Sequence, residues 1–322
     1  MEQEFIIVEK LDNPLRIDKY LLKVFPGFSR RRIAFLIKEA KIKIIEIRNK
    51  KGKKIKPSFL LKGGEKIKIG KECFQKQDEK SVLEPVFVPI EPEIIYEDKN
   101  LLAINKPAHL IVHPTEKNIK EPAVAGWLIK KYPALKNVGE DPLRPGIIHR
   151  LDKETSGVMV IAKNQETFDY LKKLFASRKI RKKYLALVRG SVKKEKGKID
   201  FSLTYSKKSS FKRKIVDKED ITKKAKTALT EYKVLKKYNG YTLLEVLPLT
   251  GRTHQVRTHL AAIGFPVAGD KIYGRQRKED LRKFPRLFLH SREISFFAPT
   301  GEFLTIEAAL SDDLKDILDR FS

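Results

Sequence analysis

The chain has 322 residues, of which 41% are hydrophobic, so it is long enough for two domains and apolar enough to bury a core. Its 69 Lys and Arg residues outnumber its 41 Asp and Glu residues, and the resulting net charge of +28 favours a polyanionic partner. A single cysteine, Cys73, excludes an internal disulfide framework and a cysteine-based zinc site. There is no secretory start and no apolar run of membrane-spanning length, so we expect a cytoplasmic protein.

The first predicted unit covers residues 14–75 and combines two helices with short strands. Its first helix is predicted by apolar residues that recur at helical spacing, Ile17, Tyr20, Leu21 and Val24. Ser29 is placed to cap a second helix, and short strands are expected over residues 41–47 and 65–69.

Three consecutive arginines, Arg30, Arg31 and Arg32, occupy the first turn of the predicted second helix. Positive charge is slightly unfavourable at a helix N-terminus, so this cluster indicates a role outside folding. We expect the three side chains to contact phosphates of the polyanionic partner. A purely structural pair of basic helices is the alternative.

Residues 76–90 are charged and lack periodicity, which predicts a linker before a larger domain over residues 91–322. Strand-like patterns dominate this domain, over residues 101–107, 183–189, 199–205, 227–235 and 241–249. The clearest helical pattern covers residues 167–175, with Asn164 as its cap. These patterns predict an α+β fold with a mainly antiparallel sheet. Two Lys-rich segments, residues 193–196 and 207–214, are predicted to be exposed hairpin tips.

One carboxylate stands in an unusual position within residues 145–157. Asp152 is flanked by Arg150 and Lys153 in a glycine-bounded turn between two apolar stretches, residues 147–148 and 158–162, which are predicted to be buried strands. Such a turn predicts a place in a cleft. A carboxylate that is desolvated there and kept ionised by a guanidinium is a candidate nucleophile or general base. A structural Asp that caps a turn or pairs with Arg150 is the alternative.

Three ordered segments resemble the motifs of the RluA/RluD-type RNA pseudouridine synthases. They are His149-Arg150-Leu151-Asp152 with the following Thr155-Ser156-Gly157, then residues 183–190, and finally residues 249–260. The likeness covers residues 85–310 and implies the pseudouridine synthase fold, the isomerisation of uridine to pseudouridine, and no cofactor. Residues 14–75 resemble a small α/β RNA-binding domain of the S-four-like type.

The resemblance implies three catalytic residues. Asp152 would be the catalytic carboxylate, whether it attacks the ribose, attacks the pyrimidine or removes a sugar proton. Tyr184 would stack on the target uracil and bring its hydroxyl close to a proton. Arg257 would keep Asp152 charged in a dry pocket, since an arginine is a permanent cation. Arg252 is a second candidate for that pairing, because it lies on the same predicted turn.

Further residues of the motifs are expected to bind the substrate. Arg150 would fill the space that a flipped-out uridine leaves behind, since its planar guanidinium stacks on bases. Leu289 would lie against the uracil ring, and His149 would line the same site. A hydrolase that uses Asp152 with His149 is a third possibility, although no oxyanion-hole motif accompanies them.

The expected partner is RNA, foremost the ribosomal RNA of the large subunit, with transfer RNA as the competing substrate. A ribosome-associated RNA-binding factor without catalysis is the alternative from another class. We expect a monomer. The spacing of the motif histidines His149, His254, His259 and His290 does not complete a ligand shell, so no metal is expected.

Overall fold

The computed structural model describes residues 4–25, 30–47, 50–51, 55–70, 90–114, 121–206, 209–216, 225–274 and 283–321. It divides into two compact units, residues 1–83 with 140–144 and residues 84–139 with 145–322. Ser29, Cys73 and, apart from Ile90, the predicted linker lie outside the described residues. None of the helices that the structure describes is long and apolar enough to cross a membrane.

The first unit packs two helices against small sheets. In chain order its elements are β1 (Glu4–Ile7), β2 (Leu15–Arg16), α1 (Ile17–Val24), α2 (Arg30–Lys38), β3 (Ile42–Ile47), β4 (Lys50–Lys51), β5 (Leu60–Leu61) and β6 (Glu65–Ile69). One sheet has the strand order β1-β6-β3-β4, and β2 pairs with β5. Both predicted helices and the predicted strands over residues 41–47 and 65–69 are therefore confirmed.

The core of the first unit forms where the apolar faces of the two helices meet the sheet. Ile17 and Leu21 of α1 and Ile33 of α2 are fully buried together with Ile67 of β6. Each such side chain contributes roughly 1.5–3 kcal/mol of transfer free energy. Helix α2 begins at Arg30 as expected, but the side chains of residues 30–32 lie outside the described part of the structure.

The second unit is built on one large sheet. Its strands are β7 (Glu93–Glu97), β8 (Leu101–Lys106), β9 (Ser156–Ala162), β10 (Arg181–Arg189), β11 (Lys196–Ser206), β12 (Ser209–Val216), β13 (Lys226–Tyr238), β14 (Tyr241–Pro248), β15 (Leu289–Phe297) and β16 (Phe303–Glu307). The order is β12-β11-β13-β14-β10-β15-β9-β8-β7, and β16 pairs with β15. Every named pair is antiparallel except β15 with β9, so the predicted mainly antiparallel α+β fold is confirmed.

In the part of the chain that the structure describes, four helices accompany this sheet: α3 (Val124–Lys131), α4 (Gln165–Ala176), α5 (Gln255–Ala262) and α6 (Asp312–Asp319). Helix α4 packs on β9, and Asn164 caps it as predicted, since its Oδ1 accepts the backbone N–H of Thr167 at 2.9 Å. Helix α5 packs on β11 to β14. A 3₁₀ helix, Pro133–Asn137, follows α3.

The parallel contact between β9 and β15 depends on a glycine. Gly157 has a φ of +114°, and a Cβ atom there would lie 2.2 Å from the carbonyl oxygen of Ser291 on β15. Only glycine permits both the conformation and this close approach. The contact holds the segment that carries Asp152 beside the centre of the sheet.

Three details of the predictions were wrong. Residues 147–148 do not form a strand but one isolated bridge, Ile147 with Ile161. Residues 193–196 are exposed, but 193–195 lie between β10 and β11, which are not neighbours, and Lys196 begins β11, so they are not a hairpin tip. Residues 209–214 belong to strand β12, while 207–208 lie outside the described residues. Sheet order is a non-local property, which local patterns do not reveal.

We predict that Gly157→Ala destabilises the second unit by more than about 3 kcal/mol, because it combines a disfavoured φ with a backbone clash. The chain has one tryptophan, the buried Trp127 of α3, so its fluorescence during denaturant unfolding follows this unit. Gly240→Ala is the control, since its φ is +76° but nothing lies within 4 Å of the added Cβ. The control should lose only about 1–2 kcal/mol. Equal losses would show that the close approach to β15 is unimportant.

Candidate active site

A cavity of about 430 Å³ lies in the second unit where the three sequence motifs meet. Its walls come from residues 148–155, from β10, from the turn before α5 and from the start of β15. All the side chains predicted for catalysis and substrate binding in this unit line it: His149, Arg150, Asp152, Tyr184, Arg252, Arg257 and Leu289. The fold thus brings together residues that are up to 140 positions apart in the chain.

Asp152 projects into this cavity from a tight turn. The backbone N–H of Thr155 donates to the carbonyl of Asp152 at 3.1 Å and closes the turn. The side chain is 17% exposed, and its Oδ2 lies 3.5 Å from Nη1 of Arg257 and 3.8 Å from Nε2 of His254. One carboxylate oxygen therefore faces two side-chain nitrogen atoms.

The main partner of Arg257 is a residue that the sequence analysis missed. Nε and Nη2 of Arg257 donate to the two carboxylate oxygens of Asp270, at 2.7 and 2.8 Å. Both side chains are buried, and Asp270 also accepts the backbone N–H groups of Ile272 and Tyr273. The sequence analysis did not predict that Arg257 is shared between Asp270 and Asp152. Only the remaining nitrogen, Nη1, is directed at Asp152.

This ion pair keeps both groups charged. Burial alone would raise the pKa of Asp270, but the Arg257 guanidinium and the backbone N–H donors bring the pKa below its ordinary value. Burial opposes the charge of Arg257 too, yet the hydrogen bonds and charge of Asp270, with a smaller effect of Asp152, raise its pKa. In the sequence, Asp270 follows Gly269 within an apolar stretch. An acidic residue in such a stretch indicates a buried, paired carboxylate, and this signal could have identified Asp270.

Arg257 also lies on a different element from the one expected. It belongs to helix α5, not to a turn, and the helix starts after His254, which has a left-handed φ of 57°. Arg252 is in the preceding turn, where its Nε donates to the carbonyl of Thr227 at 3.2 Å. Arg257 is thus the arginine whose guanidinium faces Asp152.

Tyr184 and Leu289 form neighbouring parts of the wall. In the register of the sheet, Tyr184 of β10 lies opposite Ser291 and Ala186 lies opposite Leu289. Burial raises the pKa of Tyr184 to about 12, the charge of Asp152 adds to the rise, and a hydrogen bond with Ser291 opposes it. The phenol is consequently protonated at neutral pH.

His149 is held in a neutral form by its surroundings. Its Nε2 accepts the backbone N–H of Val160 at 2.9 Å, and its ring stacks on Phe175 at a centroid distance of 4.8 Å. Burial, with a further effect of the Lys182 charge, lowers the pKa of His149 to about 3. Since Nε2 is engaged by the backbone, the hydrolase in which His149 serves as a base is disfavoured.

Two lysines near the site, one of them fully buried, were also missed. Lys106, at the end of β8, is fully buried, and its Nζ donates to the carbonyls of Pro107, Leu110 and Lys153. Burial lowers its pKa to about 7, against the attraction of Asp152. Lys106 thereby ties the residue that follows Asp152 to the sheet. A lysine that ends an apolar strand just before a proline is a signal for such a role.

The second lysine, Lys182, precedes Tyr184 by two positions on β10 and lines the cavity. Burial lowers the pKa of Lys182 to about 8. Across the described ranges, no group of three or more His, Cys, Asp or Glu side chains is placed to hold a metal ion.

Comparison with known proteins identifies the family. A family model described as RNA pseudouridylate synthase matches residues 100–262. The "Uncharacterized RNA pseudouridine synthase" of Aquifex aeolicus is 37% identical over 94% of this chain and 92% of its own length. "Ribosomal large subunit pseudouridine synthase D" of Borreliella burgdorferi is 36% identical over 94% of this chain and 87% of its own.

A solved structure agrees with these relatives. Human RNA Pseudouridylate Synthase Domain Containing 4 matches with a TM-score of 0.58 and 27% identity, over 71% of this chain and 92% of that one. The chain therefore belongs to the RNA pseudouridylate synthase family and is an isomerase that forms pseudouridine in RNA. The predicted RluA/RluD-type family and enzyme class are confirmed. Membership of an enzyme family disfavours the alternative of a non-catalytic RNA-binding factor.

We predict that Asp270→Asn destabilises the second unit by about 3–5 kcal/mol, because it leaves the buried Arg257 without its fixed counter-charge. The measurement is the denaturant midpoint followed by Trp127 fluorescence. Asp312→Asn is the matched control, since Asp312 is 91% exposed and pairs with Lys315 at the surface. The control should leave the midpoint unchanged. A midpoint of Asp270→Asn equal to that of the control would contradict a structural ion pair.

Proposed function

We propose that the protein forms pseudouridine in large-subunit ribosomal RNA and that Asp152 is the catalytic carboxylate. The position of Asp152 supports this most: it lies in a cavity of nucleotide size, with one oxygen facing nitrogen atoms of Arg257 and His254. The substrate is supported by the name of the Borreliella burgdorferi relative, which is a ribosomal large subunit enzyme.

The reaction breaks the bond between N1 of uracil and C1′ of ribose, turns the base, and forms a bond between C5 and C1′. The proton on C5 is lost and N1 gains a proton, so no electrons are exchanged with another molecule. Asp152 acts by attack on the ribose, by attack on the pyrimidine or by removal of a sugar proton. All three need an ionised carboxylate with a free oxygen. Because Arg257 and His254 approach Oδ2, we assign the reacting role to Oδ1.

Arg257 is proposed to keep Asp152 ionised. Its guanidinium is already fixed by Asp270, so Nη1 needs no reorganisation to hold the carboxylate during the reaction. A lysine at this position would carry the charge without the planar fork that makes both contacts at once.

The detached uracil is proposed to lie against Tyr184 and Leu289. The Tyr184 ring offers a stacking surface, and its hydroxyl is a hydrogen-bond donor at neutral pH because burial raises its pKa to about 12. Leu289 would supply an apolar contact that prevents the uracil from escaping before it rejoins the ribose. Both residues line the cavity that contains Asp152.

The entrance of the cavity is suited to RNA. Arg150 is exposed, and Arg178, Lys182 and Arg252 add positive charge to the lining. A uridine in folded RNA has to leave the base stack to reach Asp152, and Arg150 is proposed to occupy its place. Phosphates on either side of the uridine would meet the surrounding cations.

Residues 14–75 are proposed to be a second RNA-binding domain, joined by a linker over residues 76–90. The support is a core of its own, formed by α1, α2 and the small sheet, together with the arginine cluster at the start of α2. A separate binding domain would add affinity for structured RNA without altering the catalytic cavity.

We predict that Asp152→Asn abolishes pseudouridine formation in single-turnover assays while RNA affinity stays within a few-fold, since only a charge is removed. Asp169→Asn, on the exposed face of α4, is the control and should react at the wild-type rate. A near-normal rate for Asp152→Asn would refute the catalytic assignment.

The substrate is tested in cells that lack the gene. Pseudouridine mapping should show loss from large-subunit ribosomal RNA, restored by the wild-type protein and not by Asp152→Asn. Loss confined to transfer RNA would contradict the proposed substrate and leave the chemistry intact.

We predict that replacing Arg30, Arg31 and Arg32 together by Gln weakens binding to structured RNA and makes its salt dependence shallower. Each lost phosphate contact should reduce the slope of log affinity against log salt by about 0.7–0.9. Replacing Lys193, Lys194 and Lys196 by Gln is the charge-matched control. If the two triple variants change the slope equally, the arginine cluster has no special role.

A further inference from the structure

His254 has a conformation that its surroundings must maintain. It precedes helix α5 with a left-handed φ of 57°, which costs a non-glycine residue about 1–2 kcal/mol. Its ring is 15% exposed, lines the cavity and lies beside Asp152. The proposed reaction assigns no chemical role to the His254 ring, which is only close to Asp152.

The hydrogen bonds around Tyr273 define the tautomer of His254. The Tyr273 hydroxyl accepts the backbone N–H of Arg213, on β12, at 2.8 Å. It also lies 2.9 Å from Nδ1 of His254. A phenol has one proton, and donating it to Nδ1 satisfies the hydroxyl as both donor and acceptor. Nδ1 is then an acceptor, and the neutral imidazole carries its own proton on Nε2.

The protonated nitrogen is the one that faces the carboxylate. Nε2 of His254 lies 3.8 Å from Oδ2 of Asp152, within a small shift of a hydrogen bond. Burial lowers the pKa of His254 despite the opposing charge of Asp152, so the ring is neutral near pH 7. The His254 ring therefore presents an N–H donor to Asp152 without adding a second positive charge to that of Arg257.

Tyr273 also contacts the other donor to Asp152. The Arg257 guanidinium carbon lies 5.4 Å from the centroid of the Tyr273 ring, within cation–π range. One tyrosine thus touches both groups that face Oδ2, through its hydroxyl on one side and its ring on the other.

We propose that His254 is a positioning residue whose Nε2–H holds Oδ2 of Asp152 during the reaction, and that Tyr273 fixes the tautomer required for it. Asp152 is then turned so that Oδ1 meets the uridine. The inference rests on the proposed function in which Asp152 is the catalytic carboxylate.

The tautomer is tested directly by NMR of the full-length protein with ¹⁵N-labelled histidine rings. The chain has six histidines, and the His254 signals are those absent from His254→Asn. We expect a protonated Nε2 and an unprotonated Nδ1 in the wild type, and a mixture of tautomers in Tyr273→Phe. A wild-type His254 protonated on Nδ1 would overturn the proposal.

The positioning role is tested by two substitutions of His254. Asn tolerates the left-handed backbone but is too short to reach Oδ2, whereas Gln places an amide N–H near the position of Nε2. Since a displacement of about 1 Å can cost about 100-fold in rate, we expect His254→Asn to slow single turnover by roughly 10–100-fold. RNA affinity should stay within twofold, and His254→Gln should recover a substantial part of the rate.

The third variant, Tyr273→Phe, should slow single turnover by less than His254→Asn, because the correct tautomer is still partly populated. Tyr132→Phe is its control, since that hydroxyl donates to Glu97 at the surface, and it should react normally. A wild-type rate in both His254→Asn and Tyr273→Phe would overturn the proposal. So would a folded His254→Gln that is as slow as His254→Asn.

These results distinguish a failure of the proposed function from a failure of the positioning role of His254. Activity in Asp152→Asn would refute the proposed function, and the proposal for His254 would fall with it whatever its tautomer. Inactivity in Asp152→Asn with an unaffected His254→Asn would refute the positioning role alone.

Discussion

The buried ion pair between Arg257 and Asp270 is the constraint on which the site depends. A guanidinium at this depth loses its hydration, and the penalty is offset only by a partner that is fixed and fully hydrogen-bonded. Asp270 meets this requirement, because two backbone N–H groups hold it while it accepts two hydrogen bonds from Arg257. The orientation of Nη1 toward Asp152 follows from this pairing.

The sheet explains how distant segments come to one cavity. Strand β10 is central, with β14 on one side and β15 on the other, so Tyr184 and Leu289 lie on neighbouring strands, two positions apart in register. The parallel contact of β15 with β9 places the Asp152 turn next to them, and helix α5 covers β11 to β14 with Arg257 directed inward. A turn thus supplies Asp152, helix α5 supplies Arg257, and strands β10 and β15 supply Tyr184 and Leu289. The sheet fixes the distances between them.

Much of this was predictable from sequence, for identifiable reasons. Alternating apolar residues marked most strands, and Asn164 marked the start of α4. Helix α5 was missed because it buries polar residues such as Gln255 and His259, so no apolar stripe marks its inner face. The glycine and threonines before it also indicate a turn. Asp270 was missed because pairing between an arginine and an acid 13 positions away depends on tertiary packing. The tautomer of His254 depends on three elements that meet only in the folded chain.

We propose that Arg257 acts on Asp152 only while Asp270 holds it, and a kinetic double-mutant cycle tests this dependence. Single-turnover rates are compared for wild type, Arg257→Gln, Asp270→Asn and the double variant, in which the two amides can still hydrogen-bond. If the two residues act as one unit, the double variant will be no slower than the slower single variant. Independent, multiplying losses in rate would contradict the account.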